Sequence, residues 1–218
     1  MFDYYLFDLD GTLTDPKVGI VKSVIYSLES FGISVDDPES LTAFIGPPIR
    51  QSFRSFCNFD DENVEKAVKK FRERYLDVGI YENVMYDGVD RMLQALTEIG
   101  KTLIIATSKP IHQAKTVLEY FNLFDYFTFI SGSEVTGERS DKSEVILYAL
   151  EQNNIDDLSR CVMIGDRKYD IIGAKTVGLK SIGVLYGHGD YAELSDACAD
   201  YIVKNVDELS SLLLDKLK

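Results

Sequence analysis

The sequence predicts an α/β protein, a parallel sheet interrupted by an inserted all-helical unit, and three observations carry that prediction. From Thr102 onward, short apolar runs alternate with longer amphipathic stretches, the order that β/α units impose on a chain. A first apolar strand, Tyr4 to Leu9, stands far upstream of this series. More than 90 residues separate that strand from the run at Thr102, whereas a βαβ unit needs only about 30, so the surplus is an insertion. A length of 218 residues and 45% hydrophobic content suit one large domain, or one domain with a sizeable insertion.

Each element follows from its local pattern. After the first strand, residues 18 to 31 space Val18, Val21, Val24, Ile25, Leu28 and Phe31 as an amphipathic helix that Gly32 ends. Gly46-Pro47-Pro48 is a rigid turn opening a helix from Ile49 to Phe56. Residues 61 to 77, rich in lysine, arginine and glutamate, read as a further helix. The inserted helical domain is therefore expected over 15–82, and the main domain over 1–14 and 83–218. The chain returns after Tyr86-Asp87-Gly88 through a helix from Val89 to Ile99. Strands are then expected at Leu103–Ala106, Phe127–Ile130, Cys161–Ile164 and Ser181–Val184, with helices at Ile111–Phe121, Lys142–Gln152 and Asp170–Val177 between them. A short strand at Tyr201–Val203 and a helix from Val206 to Leu217 close the chain.

Composition narrows the function. Thirty-six acidic against 23 basic residues give a formal charge of −13, the wrong sign for a grip on a nucleic-acid backbone. An acidic protein that binds anions must gather its cations, or a metal ion, at one place. Cys57, Cys161 and Cys198 are far apart and lack zinc or redox spacing, so they are expected as reduced thiols. His112 and His188 are isolated and build no histidine cage. Asp8 and Asp10 break the first apolar run too early for a signal peptide, and no run approaches the roughly 18 apolar residues of a membrane span. The expectation is a soluble cytoplasmic protein, a monomer by default, without nucleic-acid or membrane partners.

Chemistry-bearing residues fall at strand ends. Asp8 and Asp10, in Phe7-Asp8-Leu9-Asp10-Gly11-Thr12, lie where open α/β sheets bind ligands, although Asp-Gly-Thr is also a common turn sequence. Thr107-Ser108-Lys109 directly follows the strand Leu103–Ala106, and a hydroxyl there serves either a ligand or a helix cap. Gly165-Asp166 ends another strand with Asp170 four residues on, and the alternative reading of Asp166 is the cap of a helix opening near Arg167. Lys142 opens a helix, where a cation opposes the dipole, so it reads as a functional cation or as a solvated surface lysine. Together these residues sit along one edge of one sheet. Carboxylates without histidine or cysteine suit a hard ion such as magnesium, which typically uses one or two carboxylates plus substrate phosphate.

With those motifs in order, the sequence resembles the haloacid dehalogenase superfamily of phosphatases over essentially its whole length. The resemblance rests on Asp8-Leu9-Asp10-Gly11-Thr12, then Thr107, then Lys142, then Gly165-Asp166 with Asp170. It implies a Rossmann-like parallel sheet core with an inserted all-helical cap of the first type (C1). Phe44-Ile45-Gly46-Pro47-Pro48 and Gly165-Asp166-Arg167-Lys168-Tyr169-Asp170 are closer still to the phosphoglycolate phosphatase-like branch, some of whose members are called 5′-nucleotidases. The resemblance implies that Asp8 attacks phosphorus and that Asp10 is the acid/base. It gives Mg2+ to the Asp8 carboxylate, the Asp10 carbonyl and Asp166, and the phosphoryl oxygens to Thr107, Ser108 and Lys142. Asp170 would orient Lys142 or a metal-bound water. A carboxylate at position 10 favours phosphate ester hydrolysis over the family's dehalogenases and ATPases, while a mutase stays open on the motifs.

Substrate choice is expected in the cap, since the motif residues see only phosphate. Arg50 faces the substrate's tail on this reading, and the Lys69, Lys70, Arg72 and Arg74 cluster reads as a solvated helix face. The expected substrate is a small phosphorylated metabolite: phosphoglycolate, a nucleoside monophosphate or a sugar phosphate. The alternative of another class is a non-catalytic phosphate-ligand sensor or partner-binding protein. The 13 tyrosines and 12 phenylalanines are expected in packing roles, Cys161 in the core, His112 on the helix after Thr107, and His188 in the loop Tyr186-Gly187-His188-Gly189.

Overall fold

In a computed structural model of the chain, residues 2–134, 139 and 141–216 are described. The chain divides into two compact units, Met1–Thr14 with Met85–Lys218, and Asp15–Val84. The crossings between them are short strands, β2 (Thr14–Asp15) and β3 (Val84–Met85), paired with each other.

The larger unit holds a six-stranded sheet. Its strands are β1 (Tyr4–Phe7), β4 (Thr102–Pro110), β5 (Phe129–Ser133), β6 (Cys161–Gly165), β7 (Lys180–Val184) and β8 (Tyr201–Val203). The order is β5-β4-β1-β6-β7-β8 and every pairing is parallel. In register, Leu6 lies between Ile104 and Met163, and Phe7 between Ile105 and Ile164. All six of these side chains are fully buried, as expected of strands covered on both faces. The chain leaves β1 toward β4 and β5, then crosses to β6 on the other side of β1. That reversal makes the carboxyl end of β1 the switch point at which open α/β sheets bind ligands.

Helices α4 (Val89–Glu98), α5 (Ile111–Tyr120), α6 (Lys142–Gln152), α7 (Lys168–Val177), α8 (Tyr191–Asp196) and α9 (Val206–Ser211) complete this unit. Val145, Ile146 and Ala149 of α6 and Ala174 of α7 pack on Leu6, Ile104 and Met163 in one cluster. Burying a side chain of that size contributes about 1.5–3 kcal/mol.

The smaller unit is helical, with α1 (Lys17–Glu29), α2 (Ile49–Cys57) and α3 (Asp61–Asp77). Asp60 caps α3 through the Asn63 N–H at 2.9 Å, and Asp61 and Glu62 in its first turn complement the helix dipole. Its core is aromatic: Phe44 and Phe53 meet edge to face, as do Phe53 and Phe71, and Phe71 stacks on Tyr75.

Several expected boundaries move. The strand expected at Phe127–Ile130 runs from Phe129 to Ser133, because Phe124–Tyr126 forms a 3-10 turn that delays it. Helix α7 opens at Lys168 rather than Asp170, since Asp170 accepts from the Arg167 N–H and closes the first turn. Helix α8 was not expected at all. After Ser211 the chain continues as a π-turn over Leu212–Lys216, and Leu217, the expected end of the last helix, lies outside the described residues. Val18 is 49% exposed although it was expected on the apolar stripe of α1, whose buried face instead includes Ile20, Val21, Val24 and Leu28.

Candidate active site

The first cluster is built by the turn after β1. The Asp8 N–H donates to the Ile164 carbonyl at 2.9 Å, continuing the ladder, and the chain then folds tightly as the Leu13 N–H reaches the Leu9 carbonyl at 2.9 Å. Gly11 makes this turn at φ +87°, and a Cβ there would fall 2.2 Å from Asp166 Oδ2. Asp8 and Asp10 are buried by this turn, a location that demands cationic partners.

The partners are two lysines. Lys142 Nζ lies 3.0 Å from Asp8 Oδ1 and 2.7 Å from Asp170 Oδ1, and donates to the Ala106 carbonyl at 2.9 Å. Asp141 caps α6 by accepting from the Ser143 N–H, which makes Lys142 the first helical residue and turns it inward. Burial alone pushes the Lys142 ammonium pKa down, but Asp170 and Asp8 outweigh it and hold it above the ordinary lysine value. Lys142 is therefore neither a solvated surface lysine nor a residue without structural reason, because three oxygens hold its charge against the dipole. Lys109 is the second partner, with Nζ 2.6 Å from Asp10 Oδ2 and a buried side chain. Thr107 is buried and its hydroxyl oxygen accepts from the Lys109 N–H at 3.2 Å. It caps no helix: β4 runs on to Pro110, and α5 opens after that proline.

Asp166 and Asp170 complete the cluster. Asp166 is fully buried, and its Oδ2 accepts from the His188 N–H at 2.8 Å. The residue flanking α7 on its N-terminal side is Arg167, so Asp166 is not the cap of that helix. Gly187 fits only because it lacks a side chain, since a Cβ would stand 2.6 Å from Asp166 Oδ2. The Tyr186 hydroxyl donates to the Thr12 carbonyl at 2.9 Å and ties this loop to the turn after β1. Burial, with Asp170 and Asp8 nearby, pushes the Asp166 carboxyl well above the usual carboxylate range. Burial likewise pushes Asp170 up to about 6, against the pull of Lys142.

One carboxylate oxygen each from Asp8, Asp166 and Asp170 lie within 4.8 Å of one another. With all three ionised, the ammonium of Lys142 leaves two negative charges to be met, the complement of one divalent cation. The donors are all hard oxygens, so the residues fit magnesium.

The structure thus brings Asp8, Asp10, Thr107, Lys142, Asp166 and Asp170 together at the carboxyl ends of β1, β4 and β6. Ser108 is half-buried beside Thr107, and its carbonyl accepts from the Ser133 hydroxyl at 2.8 Å. Arg50 belongs to α2 in the helical unit, where its Nε donates to Glu65 Oε1 at 2.6 Å. In the α3 cluster, Lys70 pairs with Glu73 at 2.7 Å and Arg74 with Glu82 at 2.8 Å, while burial and the neighbouring Arg50 lower the Arg72 pKa. Neither Lys109 nor the His188 amide stands out in the sequence as a site group. The period-two spacing of a strand that continues past Thr107 puts Lys109 on the same face, but the amide carries no side-chain signal.

A family profile described as haloacid dehalogenase-like hydrolase matches residues 5–184. The chain is 42% identical over 200 residues to a 5′-nucleotidase of Pseudomonas aeruginosa, covering 89% of this chain and 90% of that one. It is 33% identical to the tyrosine-protein kinase PtkA of Mycobacterium tuberculosis over 95% of this chain and 71% of that one. The crystal structure of a predicted phosphatase from Clostridium acetobutylicum superposes with a TM-score of 0.96 at 48% identity, covering 99% of each chain. The chain belongs to the haloacid dehalogenase-like hydrolase family and stands among its phosphatases.

Proposed function

We propose that the protein hydrolyses a small phosphomonoester through an aspartyl-phosphate on Asp8. The observation that carries this reading is Lys142, fixed between Asp8 and Asp170 with Asp166 beside them. A nucleophile, a phosphate-binding cation and a divalent-ion site are thereby assembled at one strand end. Asp8 attacks phosphorus; the new Asp8–phosphorus bond forms as the ester bond breaks, and Asp10 gives its proton to the departing alkoxide. Water then attacks the phosphorus, Asp10 takes the water's proton, and the Asp8–phosphorus bond breaks to release inorganic phosphate. Thr107, Ser108 and Lys142 bind the transferring oxygens, and Asp170 holds Lys142 in place. Asp8, Asp166 and the Asp10 backbone carbonyl would hold Mg2+, which when bound neutralises charge between nucleophile and phosphate.

The helical unit is the cap in this reading, and Arg50 with its Glu65 partner meets the substrate's tail. The leading substrate is phosphoglycolate-like. Nucleoside monophosphates are the second class, supported by the name 5′-nucleotidase carried by a relative, and sugar phosphates are the third. A cytoplasmic protein acting as a single copy fits a small soluble metabolite. Among the described residues, no helix is long and apolar enough to cross a membrane.

The test is phosphate release from phosphoglycolate, nucleoside monophosphates, sugar phosphates and p-nitrophenyl phosphate, with and without Mg2+. Release that requires Mg2+ and is abolished by Asp8→Asn is the expected result. In the same panel, Arg50→Ala should raise KM for the best substrate more than for the aryl ester. Wild-type protein that binds these esters without turnover would instead make the chain a phosphate-ligand sensor.

A further inference from the structure

We propose that Lys109 is a positioning residue for the acid/base, turning one oxygen of Asp10 aside so that the other faces the leaving group. The inference rests on the phosphatase reading and deepens it. Asp10 has two carboxylate oxygens in different situations. Oδ2 is held at 2.6 Å by Lys109 Nζ, while Oδ1 is buried and has no hydrogen-bond partner. A buried carboxylate oxygen without a partner is uncommon and costly unless a ligand supplies the partner. A protonated Oδ1 donates to the ester oxygen in the first step, and an ionised Oδ1 accepts from the attacking water in the second.

Lys109 is itself held at both ends. Its backbone N–H donates to the Thr107 hydroxyl oxygen at 3.2 Å, within the same segment of β4. The pairing of β4 with β5 is irregular between Ala106 and Pro110, so this segment departs from the regular ladder. Opposite it, Gly132 has no room for a side chain: a Cβ would lie 2.5 Å from the Lys109 carbonyl oxygen. The ammonium is buried as well, with a side chain 4% exposed. A lysine anchored in this way restricts the Asp10 rotamer from behind, and it needs no contact with substrate to do so. It also ties the residue proposed to bind phosphate, Thr107, to the residue proposed to move the proton, Asp10.

Two aryl esters of nearly the same shape test this. Phenyl phosphate releases a phenol with a pKa near 10 and needs the acid, whereas p-nitrophenyl phosphate releases a far more stable anion and depends on it much less. The measure is kcat/KM, which reports formation of the phosphoenzyme, with Mg2+ present. Lys109→Met should lower kcat/KM for phenyl phosphate at least about 10-fold more than for p-nitrophenyl phosphate, within the roughly 10²–10⁴-fold that general acid catalysis supplies. In an Asp10→Asn background, adding Lys109→Met should leave the ratio of the two esters where Asp10→Asn alone has put it. Lys109→Ala, which also removes the donor, takes its place with the same expectation if the methionine variant does not fold by circular dichroism. Equal losses on both esters, in a protein whose turnover Asp8→Asn abolishes, overturn the assignment of Lys109 alone. Turnover that survives Asp8→Asn overturns the phosphatase reading, and the assignment falls with it.

Discussion

At the scale of the residue, the site works by giving each buried charge a specific opposite. Lys142 shows the logic, because two carboxylates and a backbone carbonyl meet the ammonium of its buried side chain. In such a place the attraction offsets desolvation only while every partner is present. Lys142→Met leaves Asp8 and Asp170 buried with no cation, and the metal-free protein should lose about 3–5 kcal/mol of stability. Urea unfolding of the variant checks this. Adding Asp170→Asn to it should recover part of the loss, because one of the stranded charges is then gone. A loss under about 1 kcal/mol in the single variant would mean that water reaches the pair and screens it. The aspartates were legible in the sequence because strand ends rarely carry paired carboxylates for stability. Lys142 was legible only as a position at odds with its helix dipole, since its partners come from three other places in the chain.

Elements explain what the sequence hid. The apolar runs that became β1, β4, β6 and β7 were visible as continuous hydrophobic segments. Helix α8 was not, because only Leu194 in it is buried and six residues show no period. Yet α8 carries Glu193, which accepts from Arg167 Nε and from the Lys168 N–H, each at 2.9 Å. A short helix thus braces the start of α7 and the loop that holds Asp166. Asp190 caps α8 through the Glu193 N–H at 2.8 Å, so the brace is fixed at its own base. Glu193→Ala should cost roughly 1.5–3 kcal/mol, the range for hydrogen bonds to a charged group, and should weaken Mg2+ binding several-fold by calorimetry. Unchanged Mg2+ affinity beside the stability loss would show that α8 supports the fold without supporting the site. The end of β4 was hidden for a related reason. Thr107 and Ser108 look like the start of a turn, but pairing with β5 carries the strand on to Pro110, and Lys109 is buried as a result.

For the whole molecule, the acidic balance of the sequence matters less than where the acids are placed. Paired surface carboxylates such as Asp3, Glu65, Glu82 and Asp200 have pKa values held below the usual range by their lysine or arginine partners. Their contribution to stability is present at neutral pH and is lost only as pH falls below the ordinary carboxylate values. Asp166 and Asp170 behave oppositely. Their folded pKa values are raised, Asp170 to about 6, so between the ordinary value of 3.8 and that point the folded state binds more protons than the unfolded one. Without metal, the stability that protonated Asp170 contributes is therefore lost as pH rises from the ordinary value through about 6, and Asp166, also raised, acts in the same direction. A divalent cation reverses this by replacing the protons, and its binding weakens as they return. The thermal midpoint gained on adding Mg2+, with ionic strength matched by KCl, should be larger near pH 7.5 than near pH 5.5, a window above the range in which the surface pairs titrate. Asp166→Asn should melt higher than wild type near pH 7.5 without metal, and should lose most of the Mg2+ response. The same gain at both pH values would show that the buried carboxylates do not bind the ion, and that Mg2+ acts elsewhere on an acidic surface.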